Sequence, residues 1–142
     1  MSVTFYSECT KTKKVPCDFL GQWHEDHCGC DGIQEVPVAP EFNITNTNAK
    51  ALLCLVGFPD DSYLGQELEC SEIPKVLQRI MVLLATPGAL TAAVRETDVE
   101  VREDGARLVR FGIDEDYIVD RLERLRALLV YSSKEGVGVG WC

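Results

Sequence analysis

The stretch from residue 17 to residue 32 reads CDFLGQWHEDHCGCDG and holds three cysteines and both histidines of the chain. With Cys9 just upstream, it offers six thiolate or imidazole donors: Cys9, Cys17, His24, His27, Cys28 and Cys30. Zinc suits such a set, because it is borderline soft, has no d-electron geometric preference and takes four tetrahedral S or N ligands. The spacings are Cys-x7-Cys, His-x2-His and Cys-x-Cys, and none is the familiar Cys-x2-Cys knuckle pair. The favoured set is Cys9, Cys17, Cys28 and Cys30, with His24 or His27 replacing one of them. Phe19 and Trp23 would give the segment a small apolar anchor of its own.

A structural metal is expected more than a catalytic one. The loop from about Cys9 to Gln34 carries no signal of regular structure, and a loop that long is uncommon in a compact domain unless something orders it. Bound zinc supplies that ordering, since its affinity in such sites is folding free energy. The competing reading is a set of reduced, unmetallated thiols on a polar loop. His24-Glu25-Asp26-His27 is one residue short of the zincin HExxH, so the general-base geometry of that motif is not reproduced. The deaminase signature H-x-E…P-C-x-x-C is absent. An enzyme would need an open position on the metal and a base in a cleft, with Glu25 or Asp26 in that role.

A nucleic-acid knuckle is disfavoured. Lys11, Lys13 and Lys14 beside Phe19 and Trp23 have the chemistry for phosphate contact and base stacking. Asp18, Glu25, Asp26 and Asp31 offset them, and the chain carries 23 acids against 14 bases for a net charge of −9. That balance repels phosphate backbones and anionic lipid surfaces.

The surroundings of the cluster point to a reducing compartment. No apolar run approaches the roughly 20 residues that span a bilayer. The start, MSVTFYSECTKTKK, has no h-region and is not a signal peptide. Seven cysteines is an odd number, and without a secretory signal clustered cysteines favour metal over disulfides. The expected location is cytoplasmic or otherwise intracellular (within the virion for a viral chain), not secreted. The Asn43-Ile44-Thr45 sequon would then go unused.

The elements that must position the cluster are read from periodicity and caps. Val3 to Ser7 reads as a short strand, and Phe42 to Ile44 can be extended. Thr45, Asn46 and Thr47 can each cap a helix over about 48–56 that ends at Gly57; its C-terminal Leu52 to Val56 leave no polar face, so it is expected to be buried. PDDSYLGQELEC reads as an acidic surface loop. Ser71 suits the N-cap of a second buried helix with Glu72 in its first turn, a stripe of Ile73, Leu77, Ile80 and Leu84 with Val76 and Met81 beside it, and a stop at Pro87-Gly88. GALTAAVRE is open between helix and strand. TDVEVREDGARLVRFG reads as a β-hairpin over about 97–112 with an odd-numbered loop, because only that parity puts Val99, Val101, Val109 and Phe111 on one face. One such register sets Glu100 beside Arg110, and another gives Gly105 the αL position of the loop.

The final long helix starts at an Asp114 cap and runs to Gly136. Glu115 and Asp116 sit at its positive end, Ile118, Leu122, Leu125 and Leu129 form its apolar stripe, and Asp120 and Arg124 lie one turn apart. VGVGW after it reads as a short closing strand. Runs of local hairpin and helix without βαβ alternation give an α+β class.

Other reactive types have plainer readings. Cys70 precedes a helix start, where a thiol pKa can fall, but an inert thiol is the simpler account. Cys54 reads as a small core residue. Gly136 to Gly140 follows a helix and is no dinucleotide fingerprint. Asp60, Asp61, Glu67, Glu69 and Glu72 read as a solvated acidic loop, or more sharply as a docking surface for a basic protein; EF-hand spacing is missing. Arg121, Arg124 and Arg126 read as the wet face of the last helix.

The expectation is therefore a single α+β domain over 1–142, with a zinc-binding loop at 8–35 and an α+β core at 41–142. Its function is read as that of a small acidic, zinc-stabilised binding or adaptor protein acting through protein contacts, as regulator or accessory subunit. A structural subunit of a larger assembly, such as a viral particle, and a small metal- or thiol-dependent enzyme are the alternatives.

Overall fold

The computed structural model describes residues 2–17, 32–59, 61–86, 88–91, 98–101, 107–110 and 113–142, with the backbone alone at 98–101 and 107–110. His24, His27, Cys28 and Cys30, with Phe19 and Trp23, lie outside the described residues, as do the hairpin tip and most of GALTAAVRE.

The class is α+β. Strand β1 (Ser2–Ser7) alternates exposure along its length, with Val3 and Phe5 buried as the period-2 pleat demands. It pairs antiparallel with β4 (Phe42–Thr45) on one side, and on the other with β8 (Val139–Trp141). Strand β5 (Gln66–Leu68) pairs with β8 and closes the sheet, whose order is β4-β1-β8-β5. The closing strand expected from VGVGW is thus an inner strand. The acidic loop is corrected in part: Ser62–Leu64 forms a 3-10 turn and Gln66–Leu68 an edge strand, with Ser62 and Leu68 buried. Three residues are too few for alternation to show in a sequence.

Helices α1 (Asn46–Leu55), α2 (Ile73–Ala85) and α3 (Glu115–Glu135) pack on the face of the sheet that carries Val3, Phe5, Phe42, Ile44, Leu68, Val139 and Trp141. The other face is polar: Asn43 donates to Ser2 and Thr4 across β1 and β4, at 3.2 and 2.8 Å. In the core Phe5 stacks on Phe42 at 4.8 Å between centroids, and Trp141 lies 5.8 Å from Phe5 with its edge partner Phe58 at 5.2 Å. The indole N–H of Trp141 donates to the Ser62 carbonyl at 2.6 Å, which satisfies its one polar atom inside the core.

Helix ends follow the expectation unevenly. Asp114 caps α3, its carboxylate accepting from the Tyr117 amide at 2.7 Å, with Glu115 and Asp116 in the first turn and Gly136 in the left-handed conformation at the end (φ 70°). At α1 no side chain caps the first turn, because Thr45 ends a strand paired to Ser2 and the chain passes straight from ladder to helix. Ser71 does not cap α2 either. The helix starts at Ile73 with Glu72 in the cap position, and Pro74 in its first turn loses no bond there, since that N–H has no helical partner. The buried stripe of α2 is Ile73, Val76, Ile80 and Leu83; Leu77 and Leu84 are half-buried and Met81 is 62% exposed. Both stripes obey helical spacing, and packing against α3 selects one of them. Cys54 is exposed instead of core, since α1 turns Ala49, Leu52 and Leu53 inward.

Strands β6 (Asp98–Val101) and β7 (Arg107–Arg110) form the expected hairpin with an odd loop. Val99 stands opposite Val109 and Glu100 opposite Leu108, so Glu100 does not face Arg110. On α3, Ile118, Leu122, Leu125 and Leu129 are all buried, joined by Leu128 and Ser132. Asp120 accepts from Arg124 at 3.0 Å. Arg121 departs from the wet face: its guanidinium lies 4.8 Å over the Tyr117 ring and its side chain is 22% exposed.

Candidate functional site

The segment that precedes and follows the cysteine-rich stretch is not an irregular loop. Strand β2 (Thr12–Pro16) pairs antiparallel with β3 (Ile33–Pro37), from Thr12 opposite Pro37 to Pro16 opposite Ile33. The Val38 amide donates to the Lys11 carbonyl and the Cys17 amide to the Gly32 carbonyl, which extends the ribbon by one bond at each end. Sequence reading missed it because no ribbon strand residue enters the core: Thr12, Lys13, Lys14, Pro16, Ile33, Glu35 and Pro37 are exposed and Val15, Gln34 and Val36 only half-buried, so no apolar alternation marks the strands. Two prolines fit because a two-stranded ribbon leaves an outer N–H of each strand unpaired in any case. Backbone pairing therefore orders the two ends of the segment for which a metal was invoked.

The ribbon separates two of the expected ligands. Cys9 lies at its root. The Cys9 thiol is 3.6 Å from the Tyr131 hydroxyl on α3, and the Cys9 amide donates to Ser7 Oγ at 3.3 Å. Ser7 in turn accepts from buried Ser132 at 2.7 Å. Beside it Lys11 pairs with Glu135, which ties the root of the ribbon to the end of α3. The hydrogen bond and charge of Glu135 hold the Lys11 ammonium above its ordinary pKa of 10.5. The hydrogen bond to Cys9 raises the Tyr131 phenol from 10.0 to about 12, with partial burial adding to it.

Cys17 lies at the opposite end. It is only 3% exposed, whereas the ribbon residues around it, Pro16, Gly32 and Ile33, are exposed. His24, His27, Cys28 and Cys30 follow it in the chain, outside the described residues. Among the described residues no group of three or more His, Cys, Asp or Glu side chains could hold a metal ion. The lysines expected as a basic patch are partly neutralised: Lys11 meets Glu135, and Lys14 stands opposite Glu35 across the ribbon.

A second feature has no counterpart in the sequence reading. An open groove of about 530 Å³ runs between α2 and the turn after α1, beside the edge strand β5. Val56, Phe58, Leu68 and Val76 form its apolar floor, and Lys75, Gln78 and Arg79 stand along α2 at its rim. Arg79 Nε donates to the Leu55 carbonyl at 3.2 Å, which holds the guanidinium across the end of α1. No periodicity announces such a groove, because its walls come from three successive elements whose mutual packing no single repeat encodes. Cys70 is half-buried in the turn before α2, and Asp61, Glu67, Glu69 and Glu72 are exposed, as a solvated loop would be.

No helix of the described residues is long and apolar enough to cross a membrane. Comparison of the chain with protein-family models, with curated proteins and with solved structures gives no match.

Proposed function

We propose that this chain is a binding or adaptor protein that works through protein contacts, presenting a zinc-stapled arm built on the β2–β3 ribbon. The ligands are Cys17, Cys28 and Cys30 with one of His24 and His27, and Cys9 is not among them. The observation that carries this reading is the burial of Cys17 at the end of a ribbon whose strand residues are exposed or only half-buried. Four further donors of the type zinc prefers follow it within the next 13 positions. The arm has the character of a contact surface, because Ile33 and Val38 are 55% and 41% exposed and nothing in the fold covers them among the described residues. A staple at the far end would fix the ribbon's twist and hold it ready for a partner, which lowers the entropy cost of binding.

Metal analysis of the reduced, purified chain tests the staple. About one zinc per chain is expected, and a chelator should open the Cys17 thiol to alkylation while the amide signals of α3 and the four-stranded sheet persist. A photo-crosslinking side chain at Ile33 tests the contact: a discrete protein adduct that disappears on chelation is expected. A metal-free chain in which Cys17 stays protected defeats the staple, and an adduct indifferent to zinc defeats the role given to it.

A further inference from the structure

The groove beside β5 lies apart from the arm and has a charge pattern of its own. The described arginine side chains on α3 each lie against a carboxylate: Arg121 and Arg124 on Asp120 at 3.6 and 3.0 Å, and Arg126 on Glu123 at 3.1 Å. Among the described residues Arg79 forms no ion pair, and neither does Lys75, four residues before it on the same face of α2. In a chain of net charge −9, two unpaired cations beside one apolar cleft form a local field of the opposite sign.

The neighbouring acids do not cancel that field. Leu68 faces the groove and the core, so strand alternation sends Glu67 to the other side of the sheet, and Glu69, in the turn after the strand, is exposed and does not line the groove. Among the described lining residues Glu72 is the one acid, so with Lys75 and Arg79 that lining carries one net positive charge. Arg79 is also positioned before any ligand arrives. Its Nε is spent on the Leu55 carbonyl, which leaves the two terminal amino groups to meet a carboxylate.

We propose that this groove binds a peptide segment of a partner protein in which a bulky apolar side chain is flanked by carboxylates. The apolar residue fills the cleft over Val56, Phe58, Leu68 and Val76, and the acids meet Lys75 and Arg79 on α2. The volume suits one such anchor with its flanks, since ligand clefts run from about 300 to 1,000 Å³. Val82, 53% exposed at the end of the same wall, extends the apolar surface. This occupant requires nothing of the zinc arm.

The test uses the full chain and three synthetic peptides, with binding read from amide chemical shifts. The first peptide carries one leucine between glutamates, the second has glycine in place of the leucine, and the third has lysines in place of the glutamates. Saturable shifts at Gly57, Phe58, Leu68 and Arg79 are expected with the first peptide, with at least tenfold weaker binding of the other two. Lys75→Gln and Arg79→Gln should each weaken the first peptide about three- to fivefold, as an exposed ion pair does. Val82→Asp, at an exposed position that leaves the core intact, should weaken it further. Equal binding of the lysine peptide, shifts confined to other surfaces, or no binding at millimolar concentration would overturn the proposal. So would a medium-chain fatty acid that saturates the same amides more tightly than the peptide, which would make the groove a site for a free carboxylate lipid.

Discussion

Replacing Cys9 and Cys17 by serine, one at a time, separates the two ends of the ribbon. The strand ladder runs from Lys11 to Cys17, six residue steps of about 3.3 Å, or about 20 Å end to end. Cys9 precedes Lys11 by two residues, which recovers at most about 7 Å of that length. Their Cα atoms thus stay at least about 13 Å apart while the ribbon holds. Two thiolates on one zinc sit about 4 Å apart, as bond lengths near 2.3 Å at tetrahedral angles require. Both cysteines cannot serve the same ion. Structural zinc sites supply about 10–16 kcal/mol, so each of four ligands contributes on the order of 3 kcal/mol, roughly a hundredfold in affinity. Cys17→Ser should therefore release its zinc to a colorimetric chelator at a concentration roughly a hundredfold lower than the unaltered chain needs, and Cys9→Ser should behave like the unaltered chain. The reverse order, with Cys9→Ser metal-poor and Cys17→Ser fully loaded, would refute the geometry on which the ligand assignment stands.

Three further outcomes bear on the fold and the root of the arm. Trp141→Phe keeps a ring against Phe5 and Phe58 but loses the bond to the Ser62 carbonyl; chemical denaturation should show a loss of about 2 kcal/mol, and an unchanged midpoint would remove that bond from the core's energetics. Gly138→Ala would set a Cβ 2.8 Å from the Leu68 carbonyl, which is backbone and cannot step aside; a loss of about 1–3 kcal/mol is expected in the same assay. Cys9→Ala should bring the highest tyrosine titration, followed by phenolate absorbance, down from about 12 toward the ordinary 10.0. Because the Tyr131 pKa is raised by folding, its contribution to stability is complete below pH 10.0 and is lost as pH rises through about 12, so the variant should differ in stability below that window and converge above it. A titration curve identical to that of the unaltered chain would dissociate Tyr131 from Cys9.

Local chemistry made parts of this protein readable. Asp114, two acids and a stripe of four aliphatics specify α3 from cap to Gly136, since the cap bond and the spacing of the stripe both lie within one helix. Parity alone made the β6–β7 loop odd, although choosing Val99 opposite Val109 over the neighbouring register took the backbone itself. The β2–β3 ribbon was invisible because a strand pair that sends no strand residue into the core carries no apolar rhythm, and its register places Cys9 and Cys17 where no count of spacings could.

The amino-acid order by itself determined the cap and end of α3, the presence of the two helices before it, and that sulfur and imidazole gather after Cys17. Only the folded chain decided that Val139–Trp141 lies inside the sheet, that Val76 and Leu83 turn inward where Leu77 and Leu84 are half-buried, and that Arg79 rests on the Leu55 carbonyl above an apolar cleft. The reason is one of range. Caps, turns and periodicities act over a few residues, whereas strand order, the choice of buried stripe and a groove between three elements depend on contacts between segments that meet only after the chain has closed on itself.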